Sequence, residues 1–338
     1  MNRQLRQVLA ELIQRAGLQA GVGQELLQKL RVSHIYLIDS SSVSLWHGSA
    51  SKYPGAWTTA AIKWHAGYDL LSGQPWWFEL SAGSTPDQKC FPALSELAGK
   101  LLIFDLGYWS YALLLNLDEA KGFFLSRVKS NATIRIESVS RGLSCRWIGQ
   151  PLSAFRPKRK QKTILRLRGC IRHGNRSKVF RLIGFWNPTQ KKYHWYITNL
   201  SVSASAIYVL YRLRWTLELV FKSNKRSLNL DQRLRSNNEQ IIESLVLASI
   251  IANFASSAVL QFGADALDKK QALSLSFQRA AQAVVQMASD FIQYITRTGK
   301  AAEQRLIRKI RLFIPELFEK NYRHRPPSLL QAAALLKA

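Results

Sequence analysis

Three acids in a strongly basic chain stand where phosphate chemistry would need them. Glu218 lies in "YRLRWTLELVFKSNK" (211–225), Asp39 follows the apolar run "HIYLI", and Asp105 follows "KLLIF" with Gly107 two residues later. Read as one helix at about 100° per residue, 211–225 places Tyr211, Arg214, Glu218 and Lys225 on a polar stripe about 60° wide. Trp215 and Lys222 border that stripe, and Leu210, Leu213, Leu217, Val220, Phe221 and Leu228 form a neighbouring apolar face. Three readings of Glu218 are open at this point. It is a surface ion pair with Arg214 worth about 0.3–0.5 kcal/mol, a buried structural carboxylate, or a metal ligand. Three converging carboxylates repel one another unless a cation sits between them. Two Mg²⁺ ions about 3.5–4 Å apart activate a water or 3′-hydroxyl for phosphoryl transfer, and oxygen ligands favour Mg²⁺, with Mn²⁺ as a substitute. Arg214 and Lys225 would then hold the phosphate backbone on which such ions act.

The rest of the composition agrees with an anionic partner. The 338 residues include 48 Lys+Arg against 21 Asp+Glu, a net charge of +27. That charge points to nucleic acid. No run of about 18 uninterrupted apolar residues is present, so no membrane partner is expected. The first residues lack the apolar centre of a signal peptide, and a cytoplasmic, nucleoid-associated protein is expected. Cys90, Cys145 and Cys170 are widely spaced, with no zinc-ligand pattern.

The elements that must position the acids follow from periodicity. Residues 1–31 read as a short helical arm. Residues 32–129 carry five strands: 34–43, a hairpin made of "WTTAAIKWHAGYDL" and "PWWFELSAG", then "KLLIFDLGYWS" and "GFFLSRVK", with a short helix between Asp87 and Leu97. Over 130–200 the pattern alternates and is broken by Gly, Pro and Asn, which reads as a β-rich insertion. This insertion holds the densest basic run, Arg156, Lys158, Arg159, Lys160 and Lys162, a candidate phosphate-binding segment. Residues 201–262 return to helix, including 204–228, and 263–338 form a helical tail.

Y-x2-R-x3-E-x6-K, filled by Tyr211, Arg214, Glu218 and Lys225, resembles the signature of the insertion sequence 4 family of DDE transposases. Trp215 directly after the arginine and "YITNL" before the helix extend the likeness. "DLGY" at 105–108 is similar to that family's second acidic motif and "LIDSSSV" to its first. The resemblance covers about residues 30–260. It implies an α/β fold: an RNase H-like mixed five-stranded sheet with flanking helices, the β-rich insertion before the catalytic helix, and an α-helical C-terminal tail. It implies that Asp39, Asp105 and Glu218 ligate Mg²⁺, and that Tyr211, Arg214 and Lys225 contact the element end. It also implies cut-and-paste transposition on double-stranded DNA, with a homodimer on paired ends. Trp215, and Trp186 or Trp195 in the insertion, become candidates for base stacking; ordinary sheet packing is the competing reading for the last two. Transposases of this family carry a larger helical region before the first acid than the 38 residues here, so three expectations stand side by side: reduced end recognition, a truncated or decayed copy, or a reading frame that starts inside a longer gene. Two further functions fit the same residues, an inactive transposase-derived DNA-binding protein and an RNase H-like nuclease without strand transfer.

Overall fold

A computed structural model describes residues 22–73, 75–140, 142–156, 164–227, 236–265, 276–296 and 300–317. The strands are β1 His34–Ser44, β2 Ala61–Asp69, β3 Pro75–Ala82, β4 Lys100–Phe104, β5 Phe123–Arg127, β6 Arg135–Val139, β7 Ile164–His173, β8 Arg176–Asn187 and β9 Lys192–Thr198. The helices are α1 Val22–Leu30, α2 Tyr111–Glu119, α3 Ala204–Leu213, α4 Trp215–Ser227, α5 Glu239–Asp265, α6 Phe277–Gln286, α7 Ala288–Thr296 and α8 Lys300–Phe313. All nine strands join one mixed sheet in the order β3-β2-β1-β4-β5-β9-β8-β7-β6.

The described residues fall into two compact units, one made of 22–38 and 86–214, the other of 39–85 and 215–317. In the first, β1 pairs parallel to β4 from His34↔Lys100 through Ile38↔Phe104, and β4 pairs parallel to β5. Ile35, Ile38, Leu101, Leu102, Ile103, Phe104, Phe124 and Leu125 are fully buried, the near-continuous apolar filling that a parallel sheet covered on both faces requires. The next residue on each of the first two strands is an acid, Asp39 after Ile38 and Asp105 after Phe104.

The sheet has nine strands rather than five. The open edge of β5 is taken by β9, antiparallel at Leu125↔Thr198 and Arg127↔Tyr196, and β8, β7 and β6 continue from there. An unpaired edge leaves a row of backbone groups without partners, and the segment read as an insertion satisfies it. Asn199 fixes this join. Its Oδ1 accepts from the Phe124 N–H at 3.0 Å, while its Nδ2 donates to Asp118 Oδ1 at 3.0 Å and to the Gly122 carbonyl at 2.9 Å.

In the other unit the expected hairpin is present. β2 pairs antiparallel with β3, and the turn is closed by Asp69 Oδ1 accepting from the Leu71 and Ser72 N–H groups at 2.9 Å each. Helix α5 is long and apolar enough over Glu239–Leu260 to cross a membrane by length and composition. Half of that stretch is buried in the fold, and Ser249, Asn253, Ser256 and Ser257 are buried along it. Val259 of α5 shares a core with Ala280, Val284, Met287, Leu306 and Ile310 of α6 to α8. Asp290 ties α7 to α8 through Lys309 at 2.5 Å and Arg305 at 3.0 Å.

Two further expectations change. The helix read between Asp87 and Leu97 is a pair of single 3₁₀ turns, Asp87–Lys89 and Leu94–Glu96. Pro92 between them has no N–H and disfavours helix in the residue before it. The helix read over 204–228 is interrupted at Arg214, whose N–H bonds to the Tyr211 carbonyl at 3.2 Å, an i→i−3 closure. Of the helical arm, only α1 lies within the described residues.

Candidate catalytic and nucleic-acid-binding site

Asp105 is delivered by β4 and held by a tight turn, in which the Tyr108 N–H donates to the Asp105 carbonyl at 3.2 Å. Gly107 and Tyr108 of "DLGY" each have a physical reason. Tyr108 is fully buried, with its ring 5.9 Å from that of Phe91, and so anchors the turn in the core. Gly107 is passed so closely by Asp87 that an added Cβ would lie 2.2 Å from its Oδ2. The acid is thereby left half-buried at the strand end.

Tyr211 reaches this acid from α3, its hydroxyl donating to Asp105 Oδ1 at 3.3 Å. The ring is buried, 4.9 Å from Tyr196 of β9, and the Arg214 guanidinium lies over it at 5.7 Å. Burial pushes the Tyr211 phenol well above its usual range, and the Asp105 carboxylate adds to this against the opposing pull of Arg214 and Arg127. A phenol so held remains a proton donor through neutral pH. Helix α3 is placed by Ser203, whose Oγ accepts from the Ala206 N–H at 3.2 Å, an N-cap that starts the helix after the "YITNL" strand.

The structure therefore brings together Asp105, Tyr211 and Arg214. Asp39 and Glu218 belong to the other unit. Asp39 Oδ1 accepts from its neighbour's N–H, Ser40, at 2.8 Å. Glu218 is half-buried on α4, a helix held by buried Leu217, Val220 and Phe221, with the Phe221 ring edge-on to Trp64 of β2 at 4.9 Å. Trp215 is half exposed, Lys222 exposed and Lys225 half-buried. Among the described residues, no group of three or more His, Cys, Asp or Glu is placed so as to hold a metal ion. The candidate donor set is nonetheless one of hard carboxylate oxygens alone, the chemistry that Mg²⁺ and Mn²⁺ prefer.

The insertion residues divide. Trp195 packs over Gly184, where an added Cβ would lie 2.8 Å from its ring, and 5.7 Å from Phe155. It belongs to a row of rings, Trp147, Phe155, Trp195, Tyr193 and Trp186, with neighbouring centroids 5.1–6.0 Å apart. Trp186, at one end of that row, is 38% exposed. Arg156 turns back on its own backbone, donating to the Ser153 and Phe155 carbonyls. Lys158, Arg159, Lys160 and Lys162 lie outside the described residues. Asn199, which fixes the strand leading into α3, was not singled out from the sequence; the only signal was its place in "YITNL".

Residues 31–254 match the family model described as "Transposase DDE domain". Among curated proteins, the chain is similar to the transposase for insertion sequence element IS231F of Bacillus thuringiensis subsp. israelensis, 24% identical over 72% of this chain and 59% of that one. It is also similar to that for IS231B of Bacillus thuringiensis subsp. berliner, 26% identical over 86% and 68%. A putative transposase, y4zB of Sinorhizobium fredii, is 26% identical over 73% and 67%. The chain thus spans about three fifths to two thirds of the length of these relatives. Among solved structures, a piggyBac transposase synaptic complex with hairpin DNA matches 88% of this chain and 61% of its own at 12% identity, with a TM-score of 0.46.

Proposed function

The chain belongs to the transposase DDE domain family, and from that premise we propose that it cleaves DNA at the ends of an insertion sequence and joins the freed 3′ ends to a target. The observation that carries this reading is the parallel register of β1 and β4, in which the residue after each last paired position, Ile38 and Phe104, is an acid. Asp39, Asp105 and Glu218 are the proposed ligands of Mg²⁺, with Mn²⁺ as a substitute. When bound, such ions supply Lewis-acid polarisation of the scissile phosphate. The chain's own contribution at the first unit's site is positional. Tyr211 donates to Asp105 and orients its carboxylate, and Arg214, beside the same ring, is a candidate phosphate-binding cation together with Lys225 and Lys222 on α4, with Trp215 a candidate for base stacking.

The strand order β3-β2-β1-β4-β5 within the larger sheet supports an RNase H-like core, and the Tyr211, Arg214, Glu218 and Lys225 spacing supports an insertion sequence 4-type enzyme. Cut-and-paste chemistry on double-stranded DNA, base stacking on Trp186 or Trp195, a homodimer on paired ends, and cytoplasmic action at the nucleoid complete the proposal.

Glu218→Gln tests it. The amide keeps size and packing but loses the charge that holds a divalent ion, so Mg²⁺-dependent cleavage should fall at least a hundredfold. DNA affinity should hold or rise, since an anion has been removed from a basic surface. Added Mn²⁺ should raise the melting temperature of the wild type more than that of the variant. Equal cleavage by the two proteins would remove Glu218 from the site. An ion pair with Arg214 would instead cost at most about 0.5 kcal/mol of stability and leave catalysis alone.

A further inference from the structure

The two faces of the extended sheet treat their basic residues differently. On the face packed by α2, Arg176 pairs with Glu119 at 2.9 Å and Lys178 with Asp118 at 3.0 Å. On the opposite face, strand alternation sets Arg166, Arg168 and Arg172 of β7 in an exposed row. No ion pair joins these three to an acid among the described residues. The register places Arg168 directly opposite Arg181 of β8, and lines up Arg127 of β5, Tyr196 of β9, Ile183 of β8 and Arg166 of β7 across the sheet. Tyr196 and Ile183 are buried in the middle of the line, where α3 packs its Tyr211 and Tyr208 rings on Tyr196 and Phe185. That line is about 14 Å long at the usual strand spacing.

Like charges directly opposite on neighbouring strands destabilise a sheet. Arg181 is accommodated by donating to the Leu200 and Val202 carbonyls. Burial, and then Arg166 and Arg168, work against its charge. Arg127 has a buried Nε with no hydrogen-bond partner among the described residues, and its charge acts on both Tyr196 and Tyr211. Arg127 therefore stands between the arginine face and the tyrosine that binds Asp105. The nearest acid on the neighbouring strand, Glu137 of β6, is taken by Arg135 at 3.0 Å, and a cluster kept against its own repulsion with no acid paired to it among the described residues has the chemistry of an anion seat. A second copy of a chain with net charge +27 is the wrong partner for it.

We propose that the exposed arginine row of β7, Arg166, Arg168 and Arg172, backed by Arg181 of β8, seats the phosphate backbone of duplex DNA beside α3, on the side of the sheet where Arg127 stands next to the strand end that carries Asp105. The inference rests on the transposase reading but names a surface that the signature residues do not include. Guanidinium groups suit phosphate through paired N–H donors. The contacts are to backbone and read no sequence.

The experiment uses the full chain and a fluorescent duplex of arbitrary sequence, with affinity measured by anisotropy over a salt series. Arg166→Gln/Arg168→Gln removes two exposed charges that no ion pair uses among the described residues, so the fold should hold, checked by circular dichroism. The slope of log affinity against log salt should drop by about 1.8, at about 0.9 per phosphate contact. Lys178→Gln, on the opposite face and already matched by Asp118, should leave the slope unchanged. A wild-type slope in the double variant, with wild-type binding intact, overturns the surface while leaving the transposase reading in place. Equal losses in the double variant and Lys178→Gln would also overturn it, as a net-charge effect. No DNA binding by the wild type would overturn both.

Discussion

At the scale of single residues, the site turns on a tyrosine whose buried hydroxyl donates to the acid at the end of β4. Tyr211→Phe keeps the ring against Tyr196 and removes only the hydroxyl that donates to Asp105. Cleavage should fall about tenfold, the equivalent of about 1.4 kcal/mol, while DNA affinity and the melting temperature stay close to wild type. Single-turnover cleavage beside an equilibrium binding curve measures this, and unchanged cleavage would leave Tyr211 as a packing residue. The types of these residues were legible in the sequence, because an acid ending an apolar run and a Tyr-Arg-Glu-Lys spacing are local patterns. The partner of Tyr211 was not. A single helix over 211–225 sets Tyr211 and Glu218 on one stripe, whereas the hydroxyl bonds Asp105, 106 residues away in the chain. The interruption at Arg214 could not be read either, since the apolar period runs on through it.

At the scale of elements, β9 is the piece on which the site's geometry depends, because α3 starts immediately after it. Asn199→Ala would strip partners from the Phe124 N–H and the Gly122 carbonyl together. Unfolding in urea should show a loss of about 2–3 kcal/mol, counting two buried groups left unsatisfied. A loss within about 0.5 kcal/mol would mean that the strand pairing alone holds the join. The tail helices have a titratable link of their own. Lys309 first, then Arg305, holds the Asp290 carboxyl below its ordinary value against the cost of burial. A lowered folded pKa means stability that is present above the unfolded value of about 3.9 and lost as pH falls through the folded one. Asp290→Asn should remove that component, lowering the melting temperature at pH 7 and flattening its dependence on pH below about 4. A variant with the same acid limb as wild type would count against the link. The β2–β3 hairpin was legible because its turn chemistry is local. Which strand closes the β5 edge was not, since alternation reports a strand but never its neighbour, and it is the neighbour that sets Arg166 and Arg168 on one face with Arg181.

At the scale of the whole molecule, charge was the most legible property and its distribution the least. The excess of 48 Lys+Arg over 21 Asp+Glu announced a polyanionic partner, and the family supports one. The densest basic run drew attention to 156–162, yet described Arg156 closes on its own backbone. The arginines that line a sheet face are spaced two apart, where they look like ordinary alternation. The parallel register of β1 and β4 also bears on how such a chain tolerates change in length. Between Asp39 and Asp105 lie a hairpin and loops, and away from Asp87 and Phe91, which pack on the Asp105 turn, insertions in those loops cost little closure entropy. Within Ile35–Ile38 or Leu101–Phe104, loss of one residue turns every following side chain to the other face of the sheet, taking the acid with it. Copies of this gene that drift by insertion and deletion should therefore vary freely in those loops and keep a fixed count in the few residues that lead into each acid.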